Sequence, residues 1–263
     1  MTEMRGRSRN LWPAPCETPV ASALQAWFRT PLGGVLETGE LAALREILPT
    51  LFGYHLVFVD PPWRTTPSEG ARIRNAWVLR STGGWGAQLL GEAVRLPLRT
   101  DSLDALVLPH VLEFAADPHA ILREADRCLV PEGHLLLFGF QPWGLWGGRR
   151  LLSAWRGRLP WCGRWLSTAR VRDWCRLLGF EVLEVRGLCH ALPVVRPRGS
   201  SPAAGMLERA ARRGWPVPSA GWLLLARKRV IGLTPIRPRW RPRRSILSPL
   251  PGMAEPSRRD PGR

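Results

Sequence analysis

The chain has 263 residues, of which 45% are hydrophobic, and its formal net charge is +17. This length accommodates one α/β domain with tails, and the hydrophobic content is sufficient for a packed core. No apolar run approaches the roughly 18 residues of a membrane-spanning helix, and the N-terminal residues lack the apolar stretch of a secretory signal. Cysteines and histidines are dispersed, without zinc-site spacing. We therefore expect a cytoplasmic protein with no transmembrane segment and no metal.

The positive charge is carried almost entirely by arginine, since Lys228 is the single lysine. A strongly basic chain can bind RNA or an anionic membrane surface. A skew toward arginine can also reflect the nucleotide composition of the genome. Much of the charge lies in the Pro/Arg-rich residues 234–263, which contain too few apolar residues for a core and are predicted to be a disordered basic tail. The sequence leaves open whether this tail makes a weak polyanion contact or only aids solubility.

The most regular pattern lies between residues 96 and 140. Ala105 to Leu108 is a short apolar run that predicts a buried strand. Asp117 followed by Pro118 predicts a helix start, because Asp accepts from unpaired N–H groups and Pro suits the first helical position. Pro131-Glu132-Gly133 predicts a turn, and His134 to Phe140 is a second apolar run. Two wholly apolar strands joined by a helix indicate a parallel sheet that is covered on both faces.

The ordered motifs in this region resemble the second half of class I S-adenosylmethionine-dependent methyltransferases of the methyltransferase type 11 kind. The motifs are the step Leu96-Pro97-Leu98, the strand entry Asp101-Ser102-Leu103-Asp104, the helix pair Arg123-Glu124 and the turn Leu129-Val130-Pro131-Glu132-Gly133. The resemblance implies a Rossmann-like α/β fold. It also implies a mostly parallel seven-stranded sheet with an antiparallel last strand and helices on both faces.

The remaining elements follow from the same patterns. Thr38 is expected to cap a helix that runs to about Phe52. His55 to Val59, Asn75 to Arg80 and Ala87 to Leu90 are predicted as the first three strands. Near the C-terminus, the predicted elements are a helix and two closing strands, at Thr168–Leu178, Phe180–Val185 and Gly221–Arg229.

The loop after the first strand departs from the family's pattern. The family has an acidic residue followed by spaced glycines, whose backbone N–H groups approach the methionine part of the cofactor. This chain has Val59-Asp60-Pro61-Pro62-Trp63, and the two prolines remove donors. The second strand ends in Arg80-Ser81, without the acid that normally holds the ribose hydroxyls. The glycine-rich stretch Gly83 to Gly86 is interpreted as a turn rather than a phosphate loop.

The resemblance nevertheless implies S-adenosylmethionine as cofactor, with Val59 and Asp60 at the altered loop. By the same resemblance, the Glu92 carboxylate would accept from the adenine amino group and the Ala93 N–H would donate to a ring nitrogen. Glu92 could equally be a solvated loop carboxylate. Ligands of open α/β sheets bind at the carboxyl ends of strands. Pro109 and His110 are therefore candidate cofactor contacts, and His110 is a candidate for catalytic acid–base work, although it could also pack under the loop.

Six tryptophans interleave with arginines between residues 141 and 176. This composition suits a substrate cap or lid, and it also suits contact with a membrane interface, a flat ring substrate or stacked nucleobases, or ordinary packing. The predicted organisation is a disordered N-terminus over residues 1–20, one methyltransferase-like domain over 21–233 with the Trp/Arg-rich cap at 141–176, and the tail over 234–263.

Two functional hypotheses follow. The first is an enzyme that transfers a methyl group from S-adenosylmethionine to a small-molecule or lipid-like acceptor, a reaction that needs alignment and water exclusion rather than a metal or a catalytic triad. The second is a catalytically degenerate methyltransferase-fold protein that acts as a binding or scaffold module, with RNA or an anionic membrane as a partner of its basic tail. The Asp60-Pro61-Pro62 loop motivates this alternative.

Overall fold

The computed structural model describes residues 20–67, 70–83, 86–143, 145–153, 159–190 and 219–230, all within one compact unit that ends at Val230. The predicted N-terminal segment up to residue 19 and the basic tail lie outside the described residues. The described helices are α1 (Val20–Phe28), α2 (Pro31–Ile47), α3 (Pro118–Cys128), α4 (Leu145–Ser153) and α5 (Thr168–Leu177). The strands are β1 (Phe52–Val59), β2 (Arg72–Arg80), β3 (Leu89–Leu90), β4 (Leu103–Pro109), β5 (Leu129–Phe140), β6 (Phe180–Leu188) and β7 (Gly221–Lys228).

The seven strands form one sheet in the order β3-β2-β1-β4-β5-β7-β6. Strands β1 to β5 pair in parallel, and β7 is antiparallel to both β5 and β6. The predicted fold class is therefore confirmed: a mostly parallel, Rossmann-like sheet with an antiparallel last strand. The strand order reverses between β1 and β4, and the carboxyl ends of these two strands flank the crevice in which such sheets bind ligands.

Alternate residues of the central strands supply the two faces of the core. Leu56 and Phe58 of β1 pack with α1 and α2 on one face, while Val57 and Val59 pack with α3 and α5 on the other. All four side chains are fully buried. This arrangement explains why the buried parts of the central strands, such as Leu56 to Val59 and Ala105 to Leu108, are continuous apolar runs, as expected of parallel strands that are covered on both sides.

Helix α2 begins earlier than the sequence predicts. Its cap is Thr30, whose Oγ1 accepts from the Gly33 N–H at 3.2 Å, and Pro31 follows at the first helical position. The predicted cap, Thr38, is wrong: it lies inside the helix, and its hydroxyl donates to the Gly34 carbonyl at 2.8 Å. The helix starts at Thr30 because a capping threonine followed by proline is favoured there.

The helix cap predicted at Asp117 is confirmed, since its Oδ1 accepts from the N–H groups of His119 and Ala120 at 3.0 and 3.1 Å. The third strand is shorter than predicted, because only Leu89 and Leu90 pair with β2. Within the described parts of the chain, no helix is long and apolar enough to cross a bilayer.

Tryptophans of the Trp/Arg-rich segment belong to the core on the α1 face. Trp146, Trp161 and Trp165 are buried, and the Trp165 ring stacks on Phe140 at 4.9 Å between ring centroids. Trp27 of α1 packs edge-on against the same Phe140 ring at 5.7 Å. These three tryptophans therefore lie over the end of β5, whereas Trp143 is exposed and Trp174 of α5 packs on the other face of the sheet. Residues 154–158 lie outside the described chain.

Candidate functional site

A cavity of about 210 Å³, the strand-end pocket, opens at the carboxyl edge of the sheet. The ends of β1, β2 and β4 and the segment after β3 form its polar wall, at Asp60, Ser81, Glu92, Ala93, Pro109 and His110. Helix α1 and the chain after β4 supply apolar walls, among them Leu24 and Phe114. A small pocket with mostly apolar walls and a few polar groups at one edge is typical of ligand sites.

Two residues of this pocket have backbones that non-glycine residues seldom adopt. Asp60 has φ of 44° and His110 has φ of 55°, both in the left-handed region. That conformation costs on the order of 1–2 kcal/mol for a residue with a Cβ. The chain therefore bends sharply where β1 and β4 end. Other interactions of the fold must offset the conformational free energy that each bend costs. Such strain is concentrated at functional sites in proteins.

The imidazole of His110 lies behind the pocket wall between two buried carboxylates. Its Nε2 is 2.7 Å from Glu40 Oε1, and its Nδ1 is 3.1 Å from Glu113 Oε2. The three residues are only 1–2% exposed. The imidazole also packs against the Phe140 ring, with 4.2 Å between ring centroids. We call Glu40, His110 and Glu113 the buried carboxylate–histidine cluster.

The cluster holds a charged imidazole. Burial alone would lower the pKa of His110, but the carboxylates of Glu40 and Glu113 outweigh burial and raise the pKa to about 10. Burial raises the pKa of Glu113, and the imidazolium and the Phe140 N–H that face this carboxylate offset the effect only in part. With both ring nitrogens engaged, His110 has no lone pair directed into the pocket.

The loop after β1 is anchored to α2 and to β2. Trp63 is 3% exposed, and its indole Nε1 donates to Glu40 Oε2 at 2.6 Å. The Arg64 N–H donates to Glu37 Oε1 at 2.6 Å, and the Asp60 N–H donates to the Leu79 carbonyl at 2.8 Å. Pro61 and Pro62 have no N–H. A glycine loop would direct its backbone N–H groups at a ligand. Within Asp60 to Arg64, the N–H groups are absent at the two prolines and bonded to the protein at Asp60 and Arg64, which leaves only that of Trp63.

The segment that carries Glu92 and Ala93 is held by α3. The Leu96 N–H donates to Glu124 Oε1 at 2.8 Å, and Arg127 Nη2 donates to the Leu98 carbonyl at 2.9 Å. Arg127 also pairs with Glu124 at 2.7 Å. The Leu-Pro-Leu step and the Arg-Glu helix pair of the sequence therefore meet in space. These contacts restrain the backbone at Leu96 to Leu98, which follows the pocket residues Glu92 and Ala93. The side chain of Glu92 itself is exposed.

Five of the six predicted site residues line the strand-end pocket: Asp60, Glu92, Ala93, Pro109 and His110. The sixth, Val59, lies in the core beneath the pocket and is fully buried. The Asp60 carboxylate points to β2, where its Oδ1 accepts from the Ser81 N–H at 2.9 Å. The roles assigned to these residues, including catalysis by His110, stay predictions.

Sequence reasoning missed Glu40, Glu113 and Trp63. A signal for Glu40 existed, because it falls midway between Leu36 and Leu44 on the apolar face of α2, where a carboxylate needs a partner. Glu113 follows His110 by three residues in a loop, a spacing that carries no information alone. The partners of these residues are separated by as many as 70 positions, which no local pattern can reveal.

The comparisons with known proteins agree with this architecture. Residues 67–137 match the family model described as a methyltransferase domain. An uncharacterized protein of Escherichia coli K12, YafS, is 30% identical over 217 residues, which span 81% of this chain and 84% of that protein. An uncharacterized protein of Mycobacterium tuberculosis H37Rv is 30% identical over 181 residues, or 66% of this chain and 62% of that protein.

Two solved structures show the same fold. One is a protein of Thermotoga maritima described as an S-adenosylmethionine-dependent methyltransferase and possible histamine N-methyltransferase, with a TM-score of 0.54 and 21% identity over 80% of this chain and 97% of that one. The other is an S-adenosylmethionine-dependent methyltransferase of Archaeoglobus fulgidus, with a TM-score of 0.52 and 13% identity over 78% of this chain and 97% of that one.

Proposed function

The chain belongs to the class I S-adenosylmethionine-dependent methyltransferases, and from that premise we propose that it transfers a methyl group to a small, largely apolar acceptor. The observation that carries the proposal is the strand-end pocket. Residues far apart in sequence, from Asp60 to His110, converge there on the edge of the sheet at which open α/β folds bind ligands.

The adenosine half of the cofactor suits the residues present. Adenine requires an acceptor for its amino group and a donor for a ring nitrogen. Glu92 has an exposed carboxylate, and Ala93 follows it on the same wall. Ile121 and Val111 add apolar surface for a flat ring. We therefore assign the adenine end of the site to Glu92 and Ala93.

The methionine half suits the residues less well, because the loop after β1 lacks free glycine N–H groups. The cavity of about 210 Å³ is also smaller than the roughly 300 Å³ at which most ligand pockets begin. Helix α1 lines it through Val20, Ala21 and Leu24. We expect α1 to shift outward when the whole cofactor binds, since the sheet edge on the other side is anchored by buried hydrogen bonds.

The bound cofactor would supply a methyl group that is already activated by its sulfonium. The protein's residues then have to align the acceptor and keep water out. Pro109 and His110 line the pocket, and we propose that the reacting centre lies against their bend. The apolar side chains of Leu24 and Phe114 exclude water and favour an acceptor with apolar surface, which is the basis for a small-molecule or lipid-like substrate.

The proposed role of His110 is positional. Its imidazole is charged and bonded to Glu40 and Glu113, so it holds the strand end rather than taking a proton from the acceptor. Arg150 also lies near Glu113, and burial raises the pKa of the Glu113 carboxyl.

A second function, a binding module without catalysis, is favoured by one observation. The loop from Asp60 to Arg64 directs its donors to the protein itself, at Leu79 and Glu37. A chain that bound neither cofactor nor cofactor product would still present the strand-end pocket to another small ligand.

Calorimetric titration with S-adenosylmethionine and S-adenosylhomocysteine tests the proposal. We expect micromolar binding by the wild type and about tenfold weaker binding by Glu92→Gln, which corresponds to about 1.4 kcal/mol. Glu132→Gln is the matched control, because Glu132 is an exposed carboxylate near the start of β5, at the opposite edge of the sheet. Absence of binding at millimolar ligand would support the binding module instead. Equal affinities of Glu92→Gln and wild type would refute the adenine assignment.

A further inference from the structure

A second cavity, of about 270 Å³, lies beside the strand-end pocket. Its walls come from α1, the loop after β1 and the chain after β2. Consecutive residues separate the two cavities: Ser81 lines the strand-end pocket, whereas Arg80 and Thr82 line the second one. Three arginines, Arg29, Arg64 and Arg80, are among the residues that line this cavity, and we call it the arginine pocket.

Arg80 is the half-buried member of the set. Its Nη1 donates to the Pro61 carbonyl at 3.3 Å, while its Nε is buried and has no acceptor among the described residues. Burial lowers the pKa of Arg80, and the Asp60 carboxylate compensates only in part. A buried, charged N–H without an acceptor is costly, so the positive charge of Arg80 is incompletely compensated by the protein.

The other two arginines add exposed charge at the rim. Arg64 Nη2 donates to the Arg29 carbonyl at 3.2 Å, which brings the two residues together. None of the described residues that line the cavity is acidic. The carboxylate nearest Arg64 is Glu37, at 3.7 Å from Nε, and it also accepts from the Arg64 backbone. The cavity therefore has an excess of positive charge at its wall.

We propose that the arginine pocket is a second ligand site, which binds an oxyanion group, either a carboxylate or a phosphate. Planar guanidinium groups match the oxygens of both groups in geometry and charge. The position supports the same conclusion, because an arginine near the end of the second strand accommodates a ribose phosphate in other doubly wound folds. The loop that lost its glycine donors forms one wall of this cavity, at Pro62 and Trp63.

Titration of the full chain with inorganic phosphate at low ionic strength tests the site. We expect Arg80→Gln to weaken phosphate binding at least tenfold, and Arg80→Lys to be intermediate, because lysine keeps the charge but loses the planar fork. Arg45→Gln is the matched control, since Arg45 is an exposed arginine in the last turn of α2, and it should bind phosphate as the wild type does. If Arg80→Gln fails to fold, as judged by its thermal transition, Arg29→Gln provides the same test from an exposed position.

The site assignment is wrong if the wild type binds no phosphate at millimolar concentration. It is also wrong if the Arg80 and Arg29 variants bind phosphate as tightly as the Arg45 control does. A negative phosphate result leaves the proposed methyl transfer standing, because that proposal is tested separately by the S-adenosylhomocysteine affinities of the wild type and Glu92→Gln, and Glu92 does not line the arginine pocket.

Competition identifies the source of the anion. If phosphate and S-adenosylhomocysteine bind at the same time, the pocket holds an anionic group of the methyl acceptor. If phosphate displaces S-adenosylhomocysteine and Arg80→Gln weakens both ligands, the pocket holds the carboxylate of the cofactor in place of the missing glycine loop. Both results support an oxyanion site and differ only in its ligand.

Discussion

The indole of Trp63 and the carboxylate of Glu40 form a buried hydrogen bond of 2.6 Å between the loop after β1 and helix α2. The other oxygen of Glu40 contacts His110 at 2.7 Å, at the end of β4. One side chain thereby ties together the altered loop and the strand end that line the two pockets. The loop after β1 is therefore packed against α2 through Trp63, at the position where the family's glycine loop binds the cofactor.

The effects of substituting Trp63 and Glu40 on the free energy of unfolding should be coupled. Trp63→Phe removes one donor to a buried carboxylate, at a cost of about 1–3 kcal/mol, and Glu40→Gln breaks a buried ion pair, at a cost of about 3 kcal/mol. We expect the double variant to be less destabilised than the sum, by on the order of 1 kcal/mol, as measured by urea unfolding. Pairing Trp63→Phe with Glu46→Gln, an exposed position on the same helix, should give additive losses. Additivity in both pairs would contradict the coupling.

Stability should fall as the pH rises above neutral. The pKa of His110 is about 10 in the folded chain, against an ordinary value of 6.5, so the folded state holds a proton that the unfolded state releases. This contribution is fully present below pH 6.5 and is lost up to pH 10, with a slope of about 1.4 kcal/mol per pH unit. Burial raises the pKa of Glu113, which acts in the same direction at lower pH.

Unfolding by urea at several pH values from neutral to alkaline measures this slope. His110→Asn removes the titrating group and keeps a residue that tolerates a positive φ, so its profile should be flatter than that of the wild type. His119→Gln is the control, because His119 is exposed in the first turn of α3, and it should keep the wild-type slope. Equal slopes in all three proteins would show that His110 is not held charged.

Neighbouring glycines of α2 should respond oppositely to alanine. A Cβ on Gly33 would meet the Trp27 carbonyl and lie 2.6 Å from Phe28 Cα, both backbone atoms of α1, so Gly33→Ala should cost about 1–3 kcal/mol. Gly34 has nothing within 4 Å, and Gly34→Ala should stabilise the protein by about 0.5–1 kcal/mol. Since α1 forms a wall of the strand-end pocket, Gly33→Ala should also weaken S-adenosylhomocysteine binding. A neutral Gly33→Ala in thermal unfolding and calorimetry would contradict this packing.

Arg127 should matter for ligand affinity although it lies outside the pocket. Arg127→Lys keeps the charge but loses the bonds to the carbonyls of Leu96 and Leu98, at 3.3 and 2.9 Å, that restrain the segment after β3. We expect a stability loss of about 1–2 kcal/mol and several-fold weaker S-adenosylhomocysteine binding. Arg123→Lys, on an exposed pair of the same helix, should change neither quantity. Identical affinities for the two variants would argue against the restraint.

The sheet could be predicted from the sequence because the buried part of each central strand is a continuous apolar run. Such a run can be recognised in the local sequence, without knowing which residues pack against it. The start of α2 carried a local signal in Thr30-Pro31, but Gly33 and Gly34, which have poor intrinsic helix propensity, obscured it. The glycine at position 33 is explained only by the tertiary structure, because the backbone of α1 crosses so close to Gly33 that no side chain fits there.

The candidate site also has residues that could be predicted from the sequence and residues that could not. Pro109 and His110 could be placed at this edge because the ends of parallel strands converge there, and the family resemblance implied Glu92 and Ala93; the roles of all four residues stay predictions. The buried carboxylate–histidine cluster could not be, since Glu40 meets His110 only after α2 has folded over the sheet. The Pro-Pro loop was visible as a departure, but its anchorage through Trp63 required the structure.

A crystal structure of the complex with S-adenosylhomocysteine would show whether the strand-end pocket is the cofactor site. We predict adenine density against Glu92 and Ala93, with the sulfur above the Pro109–His110 bend and α1 displaced outward. Ligand density at another place, or an empty strand-end pocket at saturating ligand, would contradict the proposed methyltransferase site.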